Sequence, residues 1–266
     1  MTEICHDIRQ AFFAYDRDIV LTGISETFKK GRFYGILGPN GCGKTTLLDL
    51  MAGFIHPHRG EVRFMGKCLK KTPKKILAKQ ISLVSQNFYI NFPYRVSDVV
   101  MMGRYPYIPR FSRPSAQDFQ RCDQAMEITG ISRLKDQLVT EISGGERQRT
   151  VFARALAQDT DILLLDEATS NLDIRHSIHL LDTVKKKVRE KGLTVISVFQ
   201  DINLAAIFCD EMVFMKKGTL VKKGPTQDLM TEQMLETVFH IQSKIRFEPL
   251  YQAGQAVFKT GKAASW

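Results

Sequence analysis

The stretch Gly38-Pro39-Asn40-Gly41-Cys42-Gly43-Lys44-Thr45-Thr46 constrains this chain more than any other, because it has to join a strand to a helix. It fits the phosphate-binding loop pattern G-x-x-x-x-G-K-[ST]. Phe33-Tyr34-Gly35-Ile36-Leu37 before it reads as a short buried strand, and Leu47, Leu48, Leu50 and Met51 after it begin the apolar face of a helix. Glycines let successive backbone N–H groups turn inward around a polyphosphate, where a Cβ would obstruct them. The helix that follows aims its positive end at the same anion. On this reading residues 38–46 cradle a nucleoside triphosphate. Lys44 reaches its β- and γ-phosphates, and the Thr45 hydroxyl ligates Mg2+.

Composition narrows the setting. A chain of 266 residues is long enough for one domain, or one domain with an added lobe. No apolar run approaches the ~20 residues needed to cross a bilayer, and the segment around His6, Asp7 and Arg9 lacks an apolar signal core. A cytoplasmic location is therefore expected. The five cysteines make no C-x-x-C pair and no zinc pattern, which suits a reducing compartment. Cys42 lies inside the phosphate loop and reads as a small residue that fits there. The net charge of +10 comes from separate lysine clusters at 70–75, 185–187 and 216–223, with no aromatic residues alternating among them. Such clusters read as solvated surface or as attraction to anionic headgroups, and no nucleic-acid partner is expected.

Along the chain, Ile19-Val20-Leu21 and Ile24 to Phe28 read as strands with a turn at 15–18, and Glu61 to Phe64 as another. Ile81 to Val84 is a compact buried strand. From Asn87 the character changes. Phe88, Tyr89, Phe92, Tyr94, Tyr105 and Tyr107 crowd together, prolines interrupt, and a helix follows over 115–129. This region reads as an inserted helical lobe. Strand and helix alternation resumes at 161–165 and 193–198, which argues for an α/β core on a largely parallel sheet. A tail beyond Gly224 holds one helix (231–239) and a hairpin.

Ile162-Leu163-Leu164-Leu165-Asp166-Glu167 is an apolar strand ending in two carboxylates, expected to reach the edge where the phosphate loop opens. Asp166 there would hold Mg2+ through water, and Glu167 would polarise the water that attacks the γ-phosphate. Ser143-Gly144-Gly145-Glu146 precedes a helix and presents backbone donors to an anion a second time.

These segments together resemble ATP-binding cassette proteins over about residues 3–225. Ile142 to Arg149 is similar to the signature usually written LSGGQ, some twenty residues ahead of the acidic strand. The resemblance implies an α/β P-loop NTPase (RecA-like) core with an N-terminal antiparallel β subdomain. The cassette would occupy residues 1–240, with a helical subdomain inserted over about 87–155 and a short tail at 241–266. It implies Gln86 as the glutamine joining Mg2+ to the helical lobe, Tyr15 as the adenine-stacking aromatic, and Ser170-Asn171-Leu172-Asp173 as the loop at the dimer contact. It also implies two cassettes paired head to tail, with Ser143, Gly144, Gly145 and Glu146 acting in trans on the partner's ATP. Integral membrane permease subunits would dock beside the aromatic stretch from Phe88 to Phe111, a separate binding protein would deliver the solute, and the cassette would sit on the cytoplasmic face of the membrane.

A narrower likeness lies in Val99-Val100-Met101-Met102-Gly103-Arg104-Tyr105-Pro106 and Asp201-Ile202-Asn203-Leu204-Ala205-Ala206. Both resemble stretches of cassettes that drive import of iron–siderophores, haem and cobalamin. The same apolar residues also fit a core at helical spacing. Three positions depart from the family pattern: Gln200 for a histidine that contacts the γ-phosphate, Glu146 for glutamine, and Ala168 for proline. Glutamine donates a hydrogen bond but carries no positive charge. The implied activity is an ATPase slowed at Gln200. The alternatives are a cassette for another solute, or one that clamps on ATP with weak hydrolysis.

Overall fold

The computed structural model describes residues 3–86, 92–170 and 172–259. It divides into two compact units, Met1–Lys71 with Ile196–Trp266, and Thr72–Val195.

The first unit opens with two long strands, β1 (Ile4–Tyr15) and β2 (Asp18–Lys29), paired antiparallel from Ile4 with Lys29 to Tyr15 with Asp18. Sequence alternation anticipated parts of β2 as two runs and missed β1 altogether. The reason is irregular register. Gln10 and Gly23 take left-handed φ values of 46° and 66°, and the pairing shifts repeatedly between Ile8 and Ala14. Bulges of this kind scramble the period of two on which a strand is recognised. Next come β3 (Phe33–Leu37), helix α1 (Lys44–Ala52), β4 (Arg59–Phe64) and the two-residue β5 (Lys67–Cys68). Strands β2, β1, β4 and β5 lie side by side in that order as an antiparallel sheet.

The second unit begins with a short helix α2 (Lys74–Leu77) and strand β6 (Ile81–Val84). Helices α3 (Val96–Met101), α4 (Ala116–Ile128) and α5 (Gly144–Ala157) follow, then β7 (Ile162–Asp166) and the long helix α6 (Ile174–Lys191). Strand β6 pairs with β7 in parallel, Ile81 beside Ile162 and Val84 beside Leu165. All five residues of β7 are buried, as expected of a parallel strand covered on both faces. Val96, Val99 and Val100 of α3 pack with Cys122, Ala125 and Met126 of α4 and Ala153 of α5. Ser115 caps α4 by accepting from the Asp118 N–H, and the Asp118 carboxylate accepts in return from Ser115.

The Met101–Pro106 stretch has a packing role here. A Cβ on Gly103 would stand 2.2 Å from the Arg154 carbonyl oxygen, so only glycine permits this approach. Arg104 is buried, donates from Nε to Asp118 at 2.9 Å and from Nη1 to the Ala157 carbonyl, and lies 4.1 Å over the Tyr107 ring. Tyr105 and Phe111 are exposed. Phe88 and Tyr89, at the start of the aromatic stretch, lie outside the described residues, as does Asn171.

The chain returns to the first unit through β8 (Thr194–Val198), then α7 (Ile202–Phe208), β9 (Glu211–Lys216), β10 (Thr219–Pro225), the short α8 (Thr226–Leu229), α9 (Glu232–Phe239) and the hairpin β11 (Ser243–Glu248) with β12 (Ala253–Phe258). Strand β9 pairs in parallel with β3 and antiparallel with β10. One lysine of the 216–223 cluster is not solvated surface. Lys223 is largely buried, donates to Glu26 at 3.1 Å and to the Thr27 carbonyl, and lies over the Phe28 and Tyr34 rings. Its aliphatic stem covers aromatic faces while the ammonium reaches carboxylates, which a composition count cannot distinguish from an exposed lysine.

Candidate nucleotide site

In the first unit, β3 ends at Leu37 and the loop Gly38–Gly43 leads straight into α1. Gly43 caps the helix at φ 96°, and a Cβ there would stand 2.7 Å from Leu21 Cδ2. Gly38 passes the Met215 carbonyl so closely that a Cβ would meet it at 2.3 Å. Gly38 is therefore required by space, and Gly43 by its left-handed backbone angle as well. Lys44 is buried and its ammonium donates to the Gly38 and Pro39 carbonyls at 2.8 and 3.0 Å. The charge is thereby held within the ring formed by the loop. Asn40, Gly41 and Thr45 are exposed, whereas Cys42 and Thr46 are buried. Burial raises the Cys42 thiol, against the opposing pull of Lys44, which makes it a poor nucleophile at neutral pH.

Gln200 follows β8. The Phe199 N–H donates to the Ile36 carbonyl at 3.0 Å, which brings Gln200 alongside the end of β3. Directly after it, Asp201 caps α7 by accepting from Asn203 and Leu204. A cavity of about 750 Å³ is lined by Gly38–Cys42, Lys44, Phe199 and Gln200, together with Lys216, Lys217 and Val238–His240. That volume suits a nucleotide-sized ligand. The last two groups were not anticipated from sequence. Lys216 and Lys217 sat in a cluster taken for surface, and nothing in the tail marked His240. Tyr15 ends β1 at the hairpin turn, 47% exposed, with its ring edge-on to Phe13 at 4.9 Å. An exposed aromatic face there has the chemistry needed for stacking on a base.

In the second unit, β7 delivers Asp166 and Glu167, both buried. Glu167 adopts φ 48°, a left-handed conformation that non-glycine residues rarely take and that costs on the order of 1–3 kcal/mol. Its surroundings hold it there. Gln86 Nε2 donates to Glu167 Oε2 at 2.6 Å, and Ser170 donates to the Glu167 carbonyl from both its N–H and its hydroxyl. Gln148 of α5 donates to the next carbonyl, that of Ala168, at 3.0 Å. Gln86, Glu167 and the helix of the signature segment are thus tied together within one unit. With Nε2 bound to Glu167, the Gln86 amide has its carbonyl oxygen as the acceptor end. Within this unit, that oxygen and the Asp166 carboxylate are hard oxygen donors of the kind that suits Mg2+.

Ser143 is the cap of α5 and forms a reciprocal box with Glu146. The Ser143 hydroxyl donates to Glu146 Oε2 at 2.8 Å, and Glu146 N–H donates back. The backbone N–H of Ser143 holds the Glu146 carboxyl below the usual range, assisted by Arg133 at 3.3 Å. Glu146 is therefore a helix cap in this chain, and Gly144 and Gly145 form the first turn beside it. Asp173 caps α6 and accepts from the N–H and the ring Nδ1 of His176, contacts that lower its pKa. His179 is bonded to the Ile128 carbonyl, and no cluster of metal-ligating side chains occurs among the described residues.

Known proteins carry the same frame. Residues 21–170 match the family model described as ABC transporter. The chain is 40% identical over 226 residues to the uncharacterised ABC transporter ATP-binding protein YvrA of Bacillus subtilis, covering 85% of this chain but only 51% of YvrA. It is 35% identical to the ferric enterobactin transport ATP-binding protein FepC of Escherichia coli, covering 94% of this chain and 93% of FepC. An inward-facing ABC transporter assigned to the metal-chelate type superimposes with a TM-score of 0.82 at 27% identity, over 97% of this chain and 98% of that one. With the phosphate loop, the acidic strand and the signature helix all in place, the chain belongs to the ATP-binding cassette family of transporter ATPases and is an ATP-binding, ATP-hydrolysing subunit of an importer.

Proposed function

We propose that this cassette powers uptake of an iron chelate or a chemically related metal–organic complex. In this reading two copies pair head to tail on integral permease subunits at the cytoplasmic face of the membrane, and a separate binding protein delivers the solute. Two likenesses support that cargo: the relative named for ferric enterobactin, and the solved transporter of metal-chelate type. The chain supplies each step from its own residues. The loop Gly38–Thr46 binds the phosphates, with Lys44 as the fixed cation, and Tyr15 stacks on the adenine. Glu167 orients and deprotonates the attacking water. Gln200 donates to the terminal phosphate. Ser143, Gly144 and Gly145 bind the ATP held by the other copy, and Asp173 lies at the contact between copies. Mg2+ held by Thr45, Gln86 and Asp166 would neutralise charge on the phosphate oxygens.

The observation that carries hydrolysis is the 2.6 Å bond from Gln86 to Glu167. It fixes one oxygen of the catalytic carboxylate, and a carboxylate of set orientation need not reorganise when water arrives. The test is phosphate release by the purified protein beside Glu167→Gln. The expected result is turnover in the native chain and a loss of at least 100-fold in the variant, with ATP binding retained. Equal rates in the two proteins would refute the assignment of Glu167.

A further inference from the structure

The cavity at the phosphate loop is walled in part by the C-terminal tail, and its lining is one-sided in charge. Lys44, Lys216, Lys217 and His240 face it, and the residues that line it include no carboxylate. Cations gathered in one cavity repel one another unless an anion sits among them, so the lining favours a multiply charged ligand. His240 is held for this purpose by a specific contact. It terminates α9 in a left-handed conformation, φ 56°, which turns the chain back at that point. Its Nε2 lies 3.0 Å from Lys216 Nζ, and the same ammonium donates to the Thr237 carbonyl in the last turn of α9. An ammonium has donors and no acceptor, so Nε2 must be the accepting nitrogen. The ring proton is then on Nδ1, and the imidazole's donor is Nδ1–H. The tail is also clamped to the segment that follows Gln200. Asn203 of α7 donates to the Ala256 carbonyl of β12 and accepts from its N–H, at 3.2 and 2.7 Å.

We propose that His240, oriented by Lys216, is a further ATP-binding residue that donates to the terminal phosphate from the tail side of the cavity, beside Gln200. Resting on the ATPase reading, it gives the tail a role in distinguishing ATP from ADP. Loss of the terminal phosphate removes the acceptor that His240 binds, and the ADP-bound form keeps the contacts of the loop and of Tyr15. The chain thus places an imidazole at the cavity from a different element than the one occupied by Gln200.

Calorimetric titration of the full chain with the β,γ-imido analogue of ATP and, separately, with ADP tests the proposal, both in the presence of Mg2+. The first variant is His240→Gly, which removes the ring and suits the left-handed backbone. The second is His240→Asn, which tolerates that backbone and keeps a shorter donor. The expected result for His240→Gly is at least fivefold weaker binding of the analogue, with ADP affinity within twofold of the native chain and partial recovery in His240→Asn. Analogue and ADP affinities falling together would assign His240 a merely structural role and overturn the proposal, as would no change in either. A native chain that bound neither nucleotide would overturn the ATPase reading itself.

Discussion

His6 makes the helix of the phosphate loop sensitive to acid. It is fully buried in β1, packs on Phe64 with ring centroids 5.1 Å apart, and bonds through Nε2 to the Met51 carbonyl at 2.9 Å. Met51 lies in the last turn of α1, where helix carbonyls lack partners of their own. A carbonyl only accepts, so Nε2 carries the proton, while the buried Nδ1 has no hydrogen-bond partner. Burial pushes the pKa from 6.5 down to about 4. The unfolded chain therefore takes up a proton near pH 6.5 and the folded chain only near pH 4. The contribution to stability is complete above pH 6.5 and is lost as pH falls from there toward 4. A shift of this size corresponds to about 3 kcal/mol in all, of which roughly 2 kcal/mol is lost between pH 7 and pH 5. That is a sizeable share of the 5–15 kcal/mol typical of a folded domain. His6→Gln keeps a donor for the Met51 carbonyl and does not titrate. Urea unfolding followed by far-ultraviolet circular dichroism at pH 7 and pH 5 should show the native chain losing about 2 kcal/mol more than the variant. Parallel losses in the two proteins would refute the reasoning.

The remaining predictions concern turnover and the helical part of the second unit. Gln200→His should raise ATP hydrolysis at least tenfold in a phosphate-release assay, because a charge-assisted contact worth about 1.5–3 kcal/mol is gained in the transition state. An unchanged rate would mean that the amide already serves the terminal phosphate fully. Arg104→Met should cost about 3–5 kcal/mol by leaving the buried Asp118 carboxylate without its cation. Adding Asp118→Asn to Arg104→Met should restore part of that loss, and an unfolding midpoint unmoved by Arg104→Met would show that Ser115 alone suffices for Asp118.

The phosphate loop, the acidic strand and the signature helix were legible because each is contiguous and dictated by local geometry. Five or six buried residues, a glycine where a Cβ has no room, and a capping serine are written side by side in the chain. Strand β1 was not legible, because its bulges at Gln10 and beyond break the alternation. The bond from Gln86 to Glu167 joins residues 81 positions apart, and the resemblance supplied the glutamine without supplying its partner. Lys216 and His240 meet only because α9 folds back toward β9. Lysine counts could not separate Lys223, seated on two aromatic rings, from lysines in water.

Gly103 and Arg104 divide the freedom of the stretch that contains them. Gly103 cannot gain a single carbon without striking the Arg154 backbone, and Arg104 cannot be exchanged without stranding a buried carboxylate. Tyr105, 59% exposed, and Phe111, 95% exposed, carry no such obligation. Substitution at these outward aromatics is therefore free of the packing cost that keeps the glycine–arginine pair fixed. Within one short stretch, some positions are fixed by packing and their neighbours are open to change.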